Sequence, residues 1–174
     1  MGKKGMVSQV FTYMLIIIVI GFVFVFGFNM IKKTAETAEK AKYASFRLDL
    51  ENFVENIFSK SPGSLVEYSS KSRNKKPLIL PKNVKKVCIK NTKIALDYNE
   101  LNKLNKDDRF NVENINRNII LLPGKWNAFD IVGLKPEINP LCFDVIDEKM
   151  SFALESMFED DENFVEIKKV NKDA

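Results

Sequence analysis

The clearest pattern in the chain is a long apolar run, residues 10–31, that lies between the lysine pairs Lys3–Lys4 and Lys32–Lys33. At about 1.5 Å per residue, these roughly 22 residues form a helix about 33 Å long, which matches a hydrocarbon core of roughly 30 Å. A removable secretory signal is shorter and is followed by a small-residue cleavage site, and no such site follows this run. The run therefore predicts a retained membrane-spanning helix, with a core helix of a soluble protein as the alternative.

The next segment, residues 34–60, has the periodicity of an amphipathic helix. Large apolar side chains recur at every third or fourth position: Phe46, Leu50, Phe53 and Ile57. Small residues extend the same stripe toward the N-terminus, at Ala35, Ala38 and Ala41. The segment contains neither proline nor glycine, and the Pro62–Gly63 pair follows it. We therefore expect one continuous helix that spans the apolar run and this segment and ends near Lys60.

After the Pro62–Gly63 pair, which ends the helix, the chain changes to short runs of β-branched and aromatic residues. Strands are expected over residues 65–70, 77–81, 84–90, 93–98 and 118–124, and a three-stranded meander over residues 141–147, 149–157 and 163–170. A helical turn is expected between Asn99 and Phe110. The predicted class is α+β, in which the long helix packs its amphipathic half on a β-rich antiparallel head. The predicted parts are a basic leader (1–5), the helix (6–60) and the head (65–174).

The amino-acid composition excludes several classes of catalytic site and metal site. The chain contains no histidine, which removes Ser-His-Asp and Cys-His catalysis, the usual zinc ligand sets and any histidine pH switch. We expect neither an enzyme nor a bound cofactor or metal. The two cysteines, Cys88 and Cys142, lie in predicted strands. They form a candidate disulfide if the head is extracytoplasmic, and two buried thiols otherwise.

Charge is modest overall, at +4, but it is unevenly distributed. Residues 71–93 contain nine basic residues and no acid, and the candidate contacts to an anionic surface are Lys71, Arg73, Lys75, Lys76, Lys85 and Lys86. A solvated lysine-rich face is the alternative. Because this interval has no aromatic residue for base stacking, nucleic-acid binding is not expected. The acidic run from Glu159 to Glu162 is a candidate calcium site or a charged turn.

The beginning of the chain is also similar to that of a known family. Lys3-Lys4-Gly5 followed by MVSQVFTYMLIIIVIGFVF resembles the start of type IV pilin-like proteins, particularly those of archaea. The resemblance implies a class III signal peptide that a prepilin peptidase cuts between Gly5 and Met6, leaving the apolar segment in place. Val10 occupies the fifth mature position, where many members of the family carry glutamate.

The resemblance implies a structural subunit of a surface filament. The apolar helix would lie in membrane lipid before assembly and would then pack against other copies, with Leu15, Ile18, Gly21 and Gly27 as candidate packing residues. The implied partners are prepilin peptidase and the pilus assembly machinery. The expected placement is single-pass in the cell membrane, with an extracytoplasmic head that serves in adhesion. The alternative is a non-polymerising single-span protein with an extracytoplasmic β-rich binding domain.

Overall fold

The structure is a computed structural model that describes residues 3–69, 77–159 and 161–170, with side chains described from Val10 onward. The chain divides into two compact units, Met1–Lys40 and Ala41–Ala174. The first unit is helical in its described residues, and the second contains the end of α1 together with the strands of the described ranges.

Helix α1 covers Lys3–Phe58, close to the helix expected over residues 6–60. No proline interrupts it, and of its three glycines Gly21 and Gly27 lie inside the apolar run, while Gly5 lies near its start. The helix ends with a last turn in which the Lys60 amide donates to the carbonyl of Ile57. Gly63 then adopts a φ of 83°, which favours glycine, and the chain turns into the first strand.

Within the first unit, the large apolar side chains of residues 10–31 are exposed. Among the described residues there is one helix that is long and apolar enough to cross a membrane, and it lies near the N-terminus. An apolar surface on all sides of a helix is unfavourable in water, so these side chains require lipid or other helices around them.

The second unit contains nine strands and two short helices among its described residues. The strands are β1 (Leu65–Tyr68), β2 (Leu78–Ile79), β3 (Lys86–Ile89), β4 (Ile119–Leu122), β5 (Leu134–Pro136), β6 (Leu141–Asp144), β7 (Lys149–Met150), β8 (Phe152–Glu159) and β9 (Glu162–Lys168). The helices are α2 (Tyr98–Leu101) and α3 (Lys106–Asn114). A four-stranded sheet has the order β1-β8-β9-β5, a three-stranded sheet has the order β4-β3-β6, and β2 pairs with β7. The α+β class is as predicted.

Three local predictions are wrong. Residues 93–98 do not form a strand; residues 93–97 form a loop, and Tyr98 begins α2, whose N-cap Asp97 accepts a hydrogen bond from the Asn99 amide. The C-terminal meander is correct only for its last two strands: β8 and β9 pair in the antiparallel direction, but β6 pairs with β3 in the three-stranded sheet. The head is not purely antiparallel either, since β5 pairs with β9 in parallel.

The main hydrophobic cluster of the second unit combines α1 residues with strand residues. Phe46, Leu50, Val54 and Ile57 are buried in it, and they follow the three- and four-residue spacing of one helix face. Aromatic rings continue the cluster, with the Phe53 and Tyr68 centroids 4.2 Å apart. The final turns of α1 therefore belong to the core of this unit.

The three alanines behave differently from the expectation that they extend this buried stripe. Ala35, Ala38 and Ala41 are all exposed. Their spacing of three residues advances about 300° per step, about 60° short of a full turn, so successive members rotate away from the face that carries Phe46. Ala35 lies within about 20° of Phe46 around the helix axis, whereas Ala38 and Ala41 lie about 80° and 140° from it, so the three alanines do not continue one buried face.

A smaller cluster lies around Cys88. It contains Leu101 of α2, Val112 of α3 and Ile120 and Leu122 of β4. The two short helices therefore pack against the three-stranded sheet near the disulfide.

Candidate functional surfaces

The candidate packing residues of the apolar helix are solvent-accessible in the first unit. Leu15 is 53% exposed and Ile18 is 57% exposed, and apart from the local helix backbone and the adjacent residues no heavy atom lies within 4 Å of a Cβ built at Gly21 or Gly27. These positions are therefore open to a neighbouring helix or to lipid. Gly5 and Met6, the candidate cleavage pair, lie within the backbone range of α1.

A shallow apolar groove marks one side of this helix. It is lined by Gly27, Met30, Ile31, Thr34, Ala35 and Ala38. The Thr34 hydroxyl donates to the Met30 carbonyl at 2.9 Å, so the only hydroxyl in the groove is satisfied within the helix. The groove consequently offers surface for apolar packing and no polar group that requires an external partner.

Cys88 and Cys142 form a disulfide in the structure. The two residues lie directly opposite each other where β3 pairs with β6, and their Sγ atoms are 2.00 Å apart. Cys88 is completely buried beside the second cluster. The bond joins neighbouring strands that are 54 residues apart in the chain.

The basic segment is only partly described. Lys71, Arg73, Lys75 and Lys76 lie outside the described residues. Of the remaining candidates, Lys85 is exposed, and Lys86 forms an ion pair of 2.6 Å with Asp144. A surface ion pair of this kind leaves less positive charge for an external anion than the sequence count indicates.

Lys90 belongs to the same segment but is not on the surface. It is 5% exposed, and its Nζ donates to the Val112 carbonyl at 2.7 Å, near the C-terminal end of α3. Burial lowers the pKa of this ammonium group, because removal from water disfavours the charged form. The carbonyls at a helix C-terminus carry partial negative charge, which explains why a cation is tolerated there. Lys90 is therefore part of the fold and does not extend the candidate anion-binding face.

A mixed-charge cleft of about 570 Å³ lies beside the loop that precedes α2. Asn139 organises one wall: its Nδ2 donates to the carbonyls of Asn91 and Ile94, and its Oδ1 accepts from the Asn91 amide. On another wall, the Lys135 ammonium lies 3.9 Å from the centroid of the Phe164 ring. Sequence reasoning missed this cleft, because its walls are far apart in the chain and only the sheet topology brings them together.

Carboxylates surround that cleft, at Asp97, Glu137, Glu159 and Glu166. Glu166 is engaged by Lys168, which also pairs with Glu155. The hydrogen bonds to Glu155 and Glu166 raise the pKa of Lys168. Within the described ranges, no group of three or more acidic or cysteine side chains is placed to hold a metal ion. Asp160, in the acidic run that was a candidate calcium site, lies outside those ranges.

Trp126 is half-buried beside α1. Its ring stacks on Tyr43 with a centroid distance of 5.2 Å, and the Tyr43 hydroxyl donates to the Asn127 carbonyl at 2.6 Å. These contacts fix the loop that follows β4 against the helix.

Comparisons of the chain with protein-family models, with curated proteins and with solved structures found no match. The functional argument therefore rests on the residues and surfaces described above.

Proposed function

We propose that this protein is a structural subunit of a type IV pilus-like surface filament, either a pilin or a minor pilin. The observation that carries the proposal is the apolar part of α1, whose large side chains are exposed on every side of the helix over residues 10–31. Such a helix has two stable environments, lipid and a bundle of similar helices, because both keep the same surface away from water. A filament subunit uses both environments in turn.

The anchored state follows from the length and composition of the helix. In this state α1 spans the cell membrane once, and its amphipathic end packs on a head that lies outside the cytoplasm. The Cys88–Cys142 disulfide supports the extracytoplasmic placement, since disulfides persist in oxidising surroundings. The partners are membrane lipid, prepilin peptidase, the pilus assembly machinery and other copies of the chain. The head acts in adhesion and not in catalysis.

The first test is the N-terminal sequence and intact mass of native protein recovered separately from membranes and from sheared surface material. A mature chain that starts at Met6 in the sheared fraction is expected. An uncleaved chain found only in membranes would refute the filament proposal.

A second test places charge within the apolar helix. Ile18→Lys should abolish filaments, because a lysine at a bilayer centre or in an apolar bundle is costly, at about 2.5–3.5 kcal/mol on insertion scales. Ile18→Leu, which preserves volume and polarity, is the matched control. Filaments of normal length from Ile18→Lys would contradict the role of this helix as a packing core.

A second candidate function is a non-polymerising single-span protein with a binding head. Val10 favours it, because a valine at this position cannot accept the charge-assisted hydrogen bond that a glutamate would accept from a neighbouring amino terminus. The same N-terminal measurement separates the two candidates, since the second predicts no sheared form.

A further inference from the structure

The mixed-charge cleft lies on the outer face of the four-stranded sheet. Leu154 of β8 and Val165 and Ile167 of β9 belong to the main hydrophobic cluster. Because side chains alternate between the two faces of a strand, the residues between them lie on the opposite, outer face. On β5, β8 and β9 that face carries four carboxylates and two ammonium groups: Glu155, Glu159, Glu162, Glu166, Lys135 and Lys168. The outer face is therefore acidic.

The cleft has the chemistry of a site for lysine or arginine side chains. Its lining contains four carboxylates and one ammonium group, that of Lys135. Two of the carboxylates, Glu137 and Glu159, are exposed and form no ion pair with any described residue. The Lys135 ammonium lies 3.9 Å from the centroid of the Phe164 ring, so the cleft already accommodates one alkylammonium group on an aromatic surface. A basic peptide would meet carboxylates that lack a cation and an apolar floor.

The chain itself contains a segment of complementary charge. Residues 70–76, with the sequence SKSRNKK, include four basic residues and no acid. They lie outside the described residues. Complementary charge between two surfaces steers their association and selects the partner. This segment is therefore matched in charge to the cleft.

The backbone of the same copy's segment is too short to lie across the cleft. The segment joins Ser69 to Pro77, and the strands beside them, β1 and β2, pair with Phe152 and Met150. Both ends are thus fixed near the start of β8. Glu159 is at the other end of β8, about 23 Å away at roughly 3.3 Å per residue. A path there and back is about 46 Å, whereas the stretch from Ser69 to Pro77 extends over about 29 Å at most.

We propose that the 70–76 segment of one copy of this chain docks in the cleft of another copy. Its basic side chains pair with Glu137 and Glu159, and their aliphatic stems pack on the apolar floor around Phe164. Because the segment and the cleft are different surfaces, the contact is heterologous, and each copy can form it with the next. The inference rests on the proposed function for the presence of neighbouring copies, but it concerns the second unit and not the packing of the apolar helix.

Carbodiimide cross-linking of the full-length chain tests the contact, since a carbodiimide joins a lysine amine directly to a carboxylate that touches it. Unlabelled chains and chains labelled with heavy nitrogen are mixed in equal amounts, reconstituted into lipid vesicles and cross-linked, and the joined peptides are mapped by mass spectrometry. Amides from Lys75 or Lys76 to Glu137 or Glu159 are expected, and they should include pairs of one labelled and one unlabelled chain. Amides found only within chains of one label, or none at these positions, would overturn the proposal.

Charge reversal provides the second arm, measured as the amount of untagged full-length chain recovered with a tagged copy in detergent at low salt. Glu137→Lys together with Glu159→Lys should lower the recovery about tenfold, because like charges then face each other. Lys75→Glu together with Lys76→Glu should lower it similarly. The four substitutions in one chain should restore the recovery, because the facing charges are again opposite. A cleft variant recovered as well as the wild type, or a fourfold variant without restoration, would refute the contact.

The matched control is Glu55→Lys together with Asp107→Lys. It makes the same change in net charge as the cleft variant, at exposed positions that do not line the cleft. It should leave the recovery unchanged. An equal loss from the control and the cleft variant would show an effect of net charge alone and would also refute the contact.

The outcome is separable from that of the filament proposal. Amides between copies in vesicles, from a chain that never appears in sheared surface material, would support the contact and refute the filament. Sheared filaments formed by the cleft variant in wild-type amount would refute the contact and leave the filament proposal standing.

Discussion

The Cys88–Cys142 disulfide gives the sharpest stability prediction. The perturbation is the double replacement Cys88→Ala and Cys142→Ala, which removes the cross-link and leaves small apolar side chains at both positions. The structure places the two cysteines opposite each other on β3 and β6. The bond closes a loop between residues separated by 54 positions, so its removal gives the unfolded chain a large gain in conformational freedom.

The magnitude follows from the length of that loop. For a loop of 54 residues, the chain-entropy relation gives about 14 cal/mol/K, or about 4 kcal/mol at 25 °C. The free energy of unfolding of a typical domain is about 5–15 kcal/mol, so the double variant should lose a substantial fraction of its stability.

The assay is urea unfolding of the full chain in detergent, followed by fluorescence. Trp126 is the only tryptophan, and its stacking on Tyr43 makes it a reporter of the folded second unit. With a slope of about 2 kcal/mol per molar urea, a loss of about 4 kcal/mol lowers the midpoint by about 2 M. Reductant should produce a comparable decrease in the wild type and no change in the double variant.

Equal midpoints for the oxidised wild type and the double variant would refute this reasoning. Alkylation of the unfolded native chain without reductant provides an independent check. It should label neither cysteine, and labelling of both would identify them as thiols.

Three further predictions concern the second unit. Leu50→Ala should lower the free energy of unfolding by about 2–5 kcal/mol, because it leaves a cavity in the core. Leu48→Ala, at an exposed position, should change the free energy of unfolding by less than about 0.5 kcal/mol, and urea unfolding measures both. Burial lowers the pKa of Lys90, so the folded state loses the ammonium proton more readily than the unfolded state does. The free energy of unfolding of the wild type should therefore rise relative to that of Lys90→Met as the pH increases from the lowered pKa to the unfolded pKa. A difference in stability between the two proteins that does not change with pH would contradict this. The Asn139 side chain donates hydrogen bonds to carbonyls of the loop at residues 91–97, so Asn139→Ala should increase amide hydrogen exchange in that loop and leave exchange in β8 unchanged. Unchanged exchange in residues 91–97 would show that other contacts fix the loop.

The N-terminal helix could be predicted from the sequence because its signals are local. The apolar length, the spacing of Phe46 and Leu50 and the Pro62–Gly63 breaker lie within short windows, and α1 ends two residues before the expected Lys60. Most strands could also be predicted from short runs of neighbouring residues. The error at the alanines arose because a three-residue spacing resembles a helix face over one turn but rotates off it over several turns.

The pairing of strands could not be predicted in the same way. Assignment of β6 to the sheet of β3 depends on contacts across more than 50 residues, for which periodicity carries no information. The burial of Lys90 was equally inaccessible, since its partner is a carbonyl of α3 that is brought near only by the fold. The segment at residues 93–98 resembles a strand in composition, but hydrogen bonds from Asn139 and to the N-cap Asp97 stabilise a loop that leads into α2 at Tyr98.

The cross-strand disulfide also has a mechanical consequence. When a protein is pulled from its ends, each unfolded residue adds up to about 3.4 Å of length. The covalent bond between Cys88 and Cys142 excludes the intervening stretch, about 54 residues, from that extension. Roughly 180 Å of chain therefore stays out of the extensible length under tension. When the second unit is pulled from its two ends, it extends only through the segments before β3 and after β6, so force spectroscopy should show a longer contour length after reduction.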